Sequence, residues 1–95
     1  MLNMEMVVEM SQQEIADQLK KSILSVLNLD VSIETISGNT NLYELGLDSL
    51  NVVALLTDIE NLFDITIDVE DLSAEMFEKF SNILAFVVRR TNERS

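Results

Sequence analysis

The amino-acid sequence predicts an all-α domain, and two observations carry that prediction. Of the 95 residues, 47% are hydrophobic and 5% aromatic, and the chain contains no proline that would interrupt a helix. Apolar residues also recur at the three- and four-residue spacing of amphipathic helices in several segments. Because a chain of this length buries one modest core, we expect one domain over residues 11–90, a loose leader over 1–10 and a frayed end over 91–95.

The first helix is predicted to run from Gln12 to about Asn28. Ser11, followed three residues later by Glu14, has the pattern of a capping box, and apolar residues then recur at helical spacing. Helical periodicity is lost over residues 29–47, so we expect a long loop there, with its scattered Leu and Ile side chains inserted into the core.

The second helix follows the stretch LGLDSLNVV, residues 45–53, and presents a wide apolar face from Val52 to Phe63. Residues 63–69, FDITIDV, alternate like a strand, as do residues 29–33, so a two-stranded ribbon and an α+β fold remain open. Since an isolated ribbon is marginally stable and the helical signals dominate, we interpret 63–69 as an extended connector with its apolar residues turned inward.

Two more helices are predicted towards the C-terminus. A short one is expected at about residues 72–78, because the acidic residues before it favour the positive end of a helix dipole. Ser81 is expected to cap a last helix over residues 82–90, which ends in two arginines. The pattern is therefore three longer helices and one short helix, with a long loop between the first and the second.

The charge of the chain is strongly acidic. Asp and Glu outnumber Lys and Arg by 17 to 6, which gives a net charge of −11, and no basic residue occurs between Lys21 and Lys79. Such a surface attracts basic protein surfaces and repels nucleic acids and anionic membranes, although solubility alone is the alternative explanation. No apolar run approaches the roughly 20 residues of a membrane span. We expect a cytoplasmic protein that neither binds nucleic acid nor inserts into membranes.

Ser49, which follows Asp48 at the expected start of the second helix, is the residue whose chemistry needs explaining. A catalytic serine requires a base, but the chain has no histidine, and its three lysines are distant from Ser49 in sequence. We therefore expect no catalytic residue, and the lack of cysteine and of a calcium-loop pattern indicates no metal site. An exposed serine at a helix start favours an attached phosphate, while a plain helix cap is the alternative.

Residues 46–50, GLDSL, resemble the phosphopantetheine attachment motif of acyl carrier and peptidyl carrier proteins. The long preceding loop, the apolar face that follows, Glu60 before Phe63, and the Ser-Asn-Ile start at Ser81 also resemble that family, over roughly residues 11–90. The resemblance implies a four-helix bundle of acyl-carrier type, and a 4′-phosphopantetheine cofactor transferred from coenzyme A to Ser49.

The resemblance also implies a set of partners. These are a phosphopantetheinyl transferase, an acyl- or aminoacyl-loading enzyme (an acyltransferase or an adenylating ligase), and a downstream synthase or transferase. Asp48 and Leu50 are expected beside the cofactor, and basic patches of the partners are expected to meet an acidic face of the second helix. The residues expected to contact partners are Leu50, Val53, Asp58, Glu60 and Ile67.

Two departures from the family pattern refine this expectation. Asn51 and Ala54 stand where fatty-acid carriers commonly have acidic residues, and the segment 72–80 is longer than their short third helix. These features resemble stand-alone carriers of specialised pathways more than a fatty-acid synthase carrier. Such carriers include aminoacyl and D-alanyl carriers and discrete carriers of polyketide, nonribosomal peptide or related antibiotic biosynthesis. An acidic helical adaptor without a prosthetic group is the alternative from another class and would not need Ser49, whereas a hydrolase would need a base that the sequence does not offer.

Overall fold

The computed structural model describes residues 11–93, and these residues form an all-helical structure, as the sequence predicts. Its α-helices are α1 (Gln12–Val26), α2 (Leu42–Leu45), α3 (Val52–Phe63) and α4 (Phe80–Glu93), and 3₁₀ turns occur at Ile33–Thr35, Val69–Asp71 and Ala74–Phe77. The described part of the chain contains no strand, which removes the α+β alternative. The predicted leader, residues 1–10, lies outside the described residues.

Helix α1 begins as predicted and ends two residues earlier than predicted. The Glu14 N–H donates to Ser11 Oγ (3.1 Å) and the Ser11 N–H donates to Glu14 Oε1 (2.9 Å), which confirms the capping box. At the other end Asn28 adopts the left-handed conformation (φ 59°), and the Leu29 N–H donates to the Leu24 carbonyl (2.8 Å). This Schellman arrangement satisfies the last carbonyls and stops the helix.

The core lies between α1, α3 and α4, which contribute its most deeply buried apolar side chains: Leu19, Ile23, Leu55, Ile59, Phe80, Ile83 and Val87. The long loop also contributes to the core, as the sequence predicts, because Ile36 and Leu42 are buried and Ile33 and Leu45 pack partly against it. Because these apolar side chains are packed into the core, they hold the loop that leads to Ser49 in place. No helix within residues 11–93 is both long and apolar enough to cross a membrane.

The connector after α3 is extended, but not all of its apolar residues point inward. Phe63 is buried, Ile65 and Ile67 are partly buried, and Val69 is 84% exposed. The Glu60 carboxylate accepts a hydrogen bond from the Ile67 N–H (2.8 Å), so the connector is tied to the end of α3 by a side chain and not by a second strand.

The short helix predicted over residues 72–78 is wrong in type, because this segment contains the 3₁₀ turn Ala74–Phe77 and follows another 3₁₀ turn, Val69–Asp71. The Glu78 N–H bonds to the Glu75 carbonyl, three residues back. The Ala74 carbonyl, which an α-helix would offer to Glu78, instead accepts the Tyr43 hydroxyl (2.8 Å). A distant side chain therefore takes the place of an α-helical bond.

Helix α4 begins at Phe80, so Ser81 lies in its first turn and is not the cap that the sequence predicts. The Phe80 N–H donates to the Thr40 carbonyl (2.8 Å) and the Ser81 N–H donates to the Gly38 carbonyl (2.9 Å). The long loop thus satisfies N–H groups that a capping side chain would otherwise satisfy. The helix continues to Glu93, three residues beyond the predicted domain end at 90.

Candidate functional site

The turn that carries Ser49, residues 48–51, leads directly into α3. The Val52 N–H donates to the Asp48 carbonyl (3.0 Å), and the Asp48 carboxylate accepts hydrogen bonds from the N–H groups of Leu50 (2.9 Å) and Asn51 (3.0 Å). The Asp48 carboxylate therefore caps the turn of residues 48–51, a role that aspartate favours at such turns. Ser49 lies within this turn, and α3 begins after it, at Val52.

The Asn51 side chain closes the same turn from the other direction. Its Oδ1 accepts the Asp48 N–H (2.8 Å), and its Nδ2 donates to the carbonyl of Gly46 (3.0 Å). Gly46 has φ 120°, a conformation that residues with a Cβ rarely adopt, so glycine is required where the chain turns into this site. The oxygen and the nitrogen of the Asn51 amide therefore both form hydrogen bonds to the backbone before Ser49.

The Ser49 side chain is exposed, and its hydroxyl forms no hydrogen bond with any of residues 11–93. The Lys20 ammonium lies over the Phe80 ring (5.6 Å from its centroid), and no basic side chain within the described residues lines the surface beside Ser49. A serine without a base is a weak nucleophile. The hydroxyl is thus presented to an external enzyme and has no partner for catalysis of its own.

A groove of about 480 Å³ opens directly beside Ser49. Val52, Val53 and Leu56 of α3 form one wall, and the other wall is formed by Leu72, Ser73, Ala74 and Phe77. Among the described residues that line the groove, Asp48 is the only charged one. The groove is therefore a mainly apolar surface with one charged lining residue, in a chain of net charge −11.

Tyr43 of α2 lies at this groove and joins its two sides to the long loop. Its hydroxyl bonds to the Ala74 carbonyl, and its ring meets Phe77 edge-on, with the ring centroids 6.2 Å apart and the planes at 75°. Such edge-to-face pairs add to the stabilisation that burial provides. The groove wall is thus fixed by a residue thirty-one positions earlier in the chain.

Residues 17–87 match the family model described as phosphopantetheine attachment site. A curated relative, the acyl carrier protein of Exiguobacterium sp., is 32% identical over 78 residues, which cover 82% of this chain and 95% of the relative. The chain belongs to the phosphopantetheine-binding carrier protein family. Members of this family are carriers and not enzymes, and the family implies a covalently attached 4′-phosphopantetheine cofactor.

The predicted site residues of this carrier separate into two groups. Asp48, Leu50 and Val53 lie around Ser49, with Leu50 88% and Val53 63% exposed. Such large exposed apolar side chains, next to one another and next to an apolar groove, are typical of contact surfaces. Their roles towards cofactor and partners stay predictions.

Asp58, Glu60 and Ile67 make contacts within the carrier itself. The Ser22 hydroxyl donates to Asp58 Oδ2 (2.5 Å) between α1 and α3, and the Ile67 N–H donates to Glu60 Oε2. Ile67 is partly buried against the core. These three residues hold elements together in the structure, and their predicted contact with partners stays a prediction.

Beside Ser49, the solvent-facing part of α3 carries no charge, and Asp48 is the charged residue of the preceding turn. Uncharged residues of this surface form a stripe at helical spacing that we call the neutral stripe: Leu50, Val53, Ala54, Thr57 and Asn61. The two acids of α3, Asp58 and Glu60, lie outside this stripe and bond to Ser22 and to the Ile67 N–H. The predicted meeting of partners with an acidic face of this helix stays a prediction.

Sequence reasoning missed two residues of this site, Asn51 and Tyr43. The role of Asn51 could have been predicted, because the spacing of Asp48 and Asn51 matches that of Ser11 and Glu14 in a capping box. The role of Tyr43 could not, since its contact with the groove depends on the tertiary fold. Among residues 11–93, no cluster of three or more potential metal-ligating side chains is found.

Proposed function

We propose that this carrier holds acyl or aminoacyl intermediates as thioesters on a 4′-phosphopantetheine arm attached to Ser49. The observation that carries the proposal is the presentation of Ser49, whose unengaged hydroxyl lies in a capped turn just before α3, beside an apolar groove. The residues present fit the arm, because the hydroxyl is accessible and the surface next to it is uncharged except for Asp48.

Attachment is a phosphoryl-group transfer catalysed by a partner enzyme. A bond forms between Ser49 Oγ and phosphorus, the phosphoanhydride bond of coenzyme A breaks, and the adenosine bisphosphate portion leaves with the bonding electrons. The serine proton passes to a base of the transferase or to solvent, since this chain supplies none near Ser49. Asp48 contributes by capping the turn, and the positive end of the α3 dipole favours the phosphate.

The arm supplies a thiol, which the chain lacks because it has no cysteine. The groove beside Ser49 has a size within the range of small-molecule sites, about 300–1,000 Å³, and its walls are mainly apolar. It therefore offers the apolar part of the arm, or of its cargo, a place away from water.

We assign the carrier to polyketide, nonribosomal peptide or related biosynthesis, with a fatty-acid synthase carrier as the alternative. Asn51 and Ala54, where fatty-acid carriers commonly have acids, support this assignment. The name of the Exiguobacterium relative favours an acyl cargo over an aminoacyl one. A loading assay that offers the holo carrier to an acyltransferase and to an adenylating ligase distinguishes these cargoes.

Its partners are then a phosphopantetheinyl transferase, a loading enzyme and a downstream synthase or transferase. Leu50 and Val53 are the proposed apolar contacts, since both are exposed on the neutral stripe next to Ser49. The acids elsewhere on the carrier attract basic partners from a distance, while the groove and neutral stripe around Ser49 carry no charge apart from that of Asp48.

Intact-protein mass spectrometry tests the proposal after incubation of the apo carrier with a broad-specificity phosphopantetheinyl transferase and coenzyme A. Wild type is expected to gain the mass of one arm and Ser49→Ala none. Ser73→Ala is the matched control, because Ser73 is also exposed and lines the same groove, and it is expected to gain one arm. A folded wild type that gains no arm would reject the carrier function and favour an acidic adaptor.

A further inference from the structure

We propose that Asn51 is a positioning residue for the modification of Ser49, because its side-chain amide locks the turn that presents the serine hydroxyl. This inference rests on the proposed function, since it concerns the same attachment step. The Asn51 side chain bonds to Asp48 and Gly46 and not to the serine hydroxyl, so it would act through the backbone of residues 46–51.

Packing does not fix the stretch on which Ser49 stands. Leu47 is buried, but Asp48, Ser49 and Leu50 are all exposed, and regular helix resumes only at Val52. Between these points the backbone is held chiefly by polar contacts. The turn can therefore be loosened without any change in the core.

Hydrogen bonds of Asn51 supply the anchoring that burial does not. Its Oδ1 holds the Asp48 N–H at 2.8 Å, and its Nδ2 reaches the Gly46 carbonyl at 3.0 Å. In return the Asp48 carboxylate accepts the Asn51 N–H at 3.0 Å. These bonds run from Asn51 back over Ser49 to the residues before it, so they fix the backbone on both sides of the serine.

The lock requires an amide, because one side chain must both accept and donate. An aspartate at position 51 would still accept the Asp48 N–H. It would lose the bond to the Gly46 carbonyl, and it would place a second carboxylate beside that of Asp48 and against a carbonyl oxygen. Substitution with aspartate therefore removes the hydrogen bond to the Gly46 carbonyl, whereas substitution with alanine removes both side-chain hydrogen bonds.

The expected effect is on recognition by the transferase. If the turn is populated in the presented conformation only part of the time, apparent affinity falls by that fraction, and the rate from the bound complex is unchanged. Two lost hydrogen bonds are enough to make the presented conformation a minor one. We therefore expect KM for the carrier to rise about tenfold in Asn51→Ala, while kcat stays within a factor of about two.

The experiment measures kcat and KM of apo carrier variants as substrates of a broad-specificity phosphopantetheinyl transferase with coenzyme A, with melting temperatures by circular dichroism. Asn51→Ala and Asn51→Asp are both expected to raise KM. Ser11→Ala is the matched control, because it removes a capping bond of the same kind at α1 and lowers stability far from the site. Asn39→Ala controls for loss of an amide, because Asn39 is exposed on the long loop and lines neither the groove nor the neutral stripe. Both controls are expected to keep the wild-type KM.

A wild-type KM in Asn51→Ala or in Asn51→Asp would overturn the inference. So would a KM in Ser11→Ala that rises as much as in Asn51→Ala, since the effect would then follow global stability. Failure of the proposed function is a different result: the wild-type carrier itself would take no arm. If the wild type takes the arm and the Asn51 variants keep the wild-type KM, the positioning role is rejected and the proposed function stands.

Discussion

A side-chain hydrogen bond between α1 and α3, which we call the polar tie, leads to the most quantitative prediction for stability. Ser22 of α1 is only 4% exposed, and its hydroxyl donates to the Asp58 carboxylate of α3, within an interface that is otherwise apolar. Ser22→Ala leaves that partly buried carboxylate without its donor. Because α3 carries the turn with Ser49, the same contact helps to position the site.

The expected loss follows from the charge of the acceptor. A hydrogen bond to a charged group contributes about 1.5–3 kcal/mol to stability, and a loss of about 1 kcal/mol lowers the melting temperature of a domain of this size by roughly 4–8 °C. We therefore expect Ser22→Ala to lower the free energy of unfolding by about 2 kcal/mol and the melting temperature by roughly 8–16 °C.

The assay is urea unfolding, followed by far-UV circular dichroism, of wild type, Ser22→Ala, Asp58→Ala and the double variant. The coupling energy of this cycle is expected to be about 1.5–3 kcal/mol. Thr57→Ala is the control, because Thr57 is the exposed neighbour of Asp58, and a change within about 0.5 kcal/mol is expected. A coupling energy below about 0.5 kcal/mol would refute the tie and leave Asp58 free to contact partners.

Three other predictions concern the groove and the charge. The hydrogen bond from the Asp68 N–H, together with Arg90, lowers the pKa of Asp71, so its stabilisation is present above the unfolded value of 3.8 and lost as the pH falls below it. The difference in melting temperature between wild type and Asp71→Asn should shrink as the pH falls from 7 to below 3.8, and a constant difference would contradict this. Tyr43→Phe removes the bond to the Ala74 carbonyl and should cost about 1 kcal/mol in urea unfolding; an unchanged midpoint would mean that the groove wall is held without it. The net charge of −11 predicts a melting temperature that rises when salt is added to about 0.15 M, and a flat or falling value would count against self-repulsion.

The helices whose signals are local were predictable from the sequence. The capping box at Ser11 and the apolar periodicity of α3 depend on residues within a few positions of one another, and both predictions are confirmed. The start of α4 and the type of the segment before it were not predictable. They depend on bonds to Thr40 and from Tyr43, which lie far away in the sequence.

The same distinction applies to the site. The position of Ser49 in a capped turn just before α3 follows from the local sequence GLDSL, in which the Asp48 carboxylate caps that turn. The orientation of the α3 acids does not, because Asp58 and Glu60 lie at the borders of the apolar face, where sequence periodicity does not say which way a side chain turns. Their partners on other elements decide it.

The measurement that tests the central claim most directly is the location of the arm in the loaded wild-type protein. Cleavage after Glu44 and Glu60 releases residues 45–60, in which Ser49 is the only serine, and separates this peptide from Ser73. Tandem mass spectrometry is expected to find the phosphopantetheine mass on that peptide and to assign it to Ser49. An arm found on the peptide that contains Ser73, or on any other peptide, would contradict the claim.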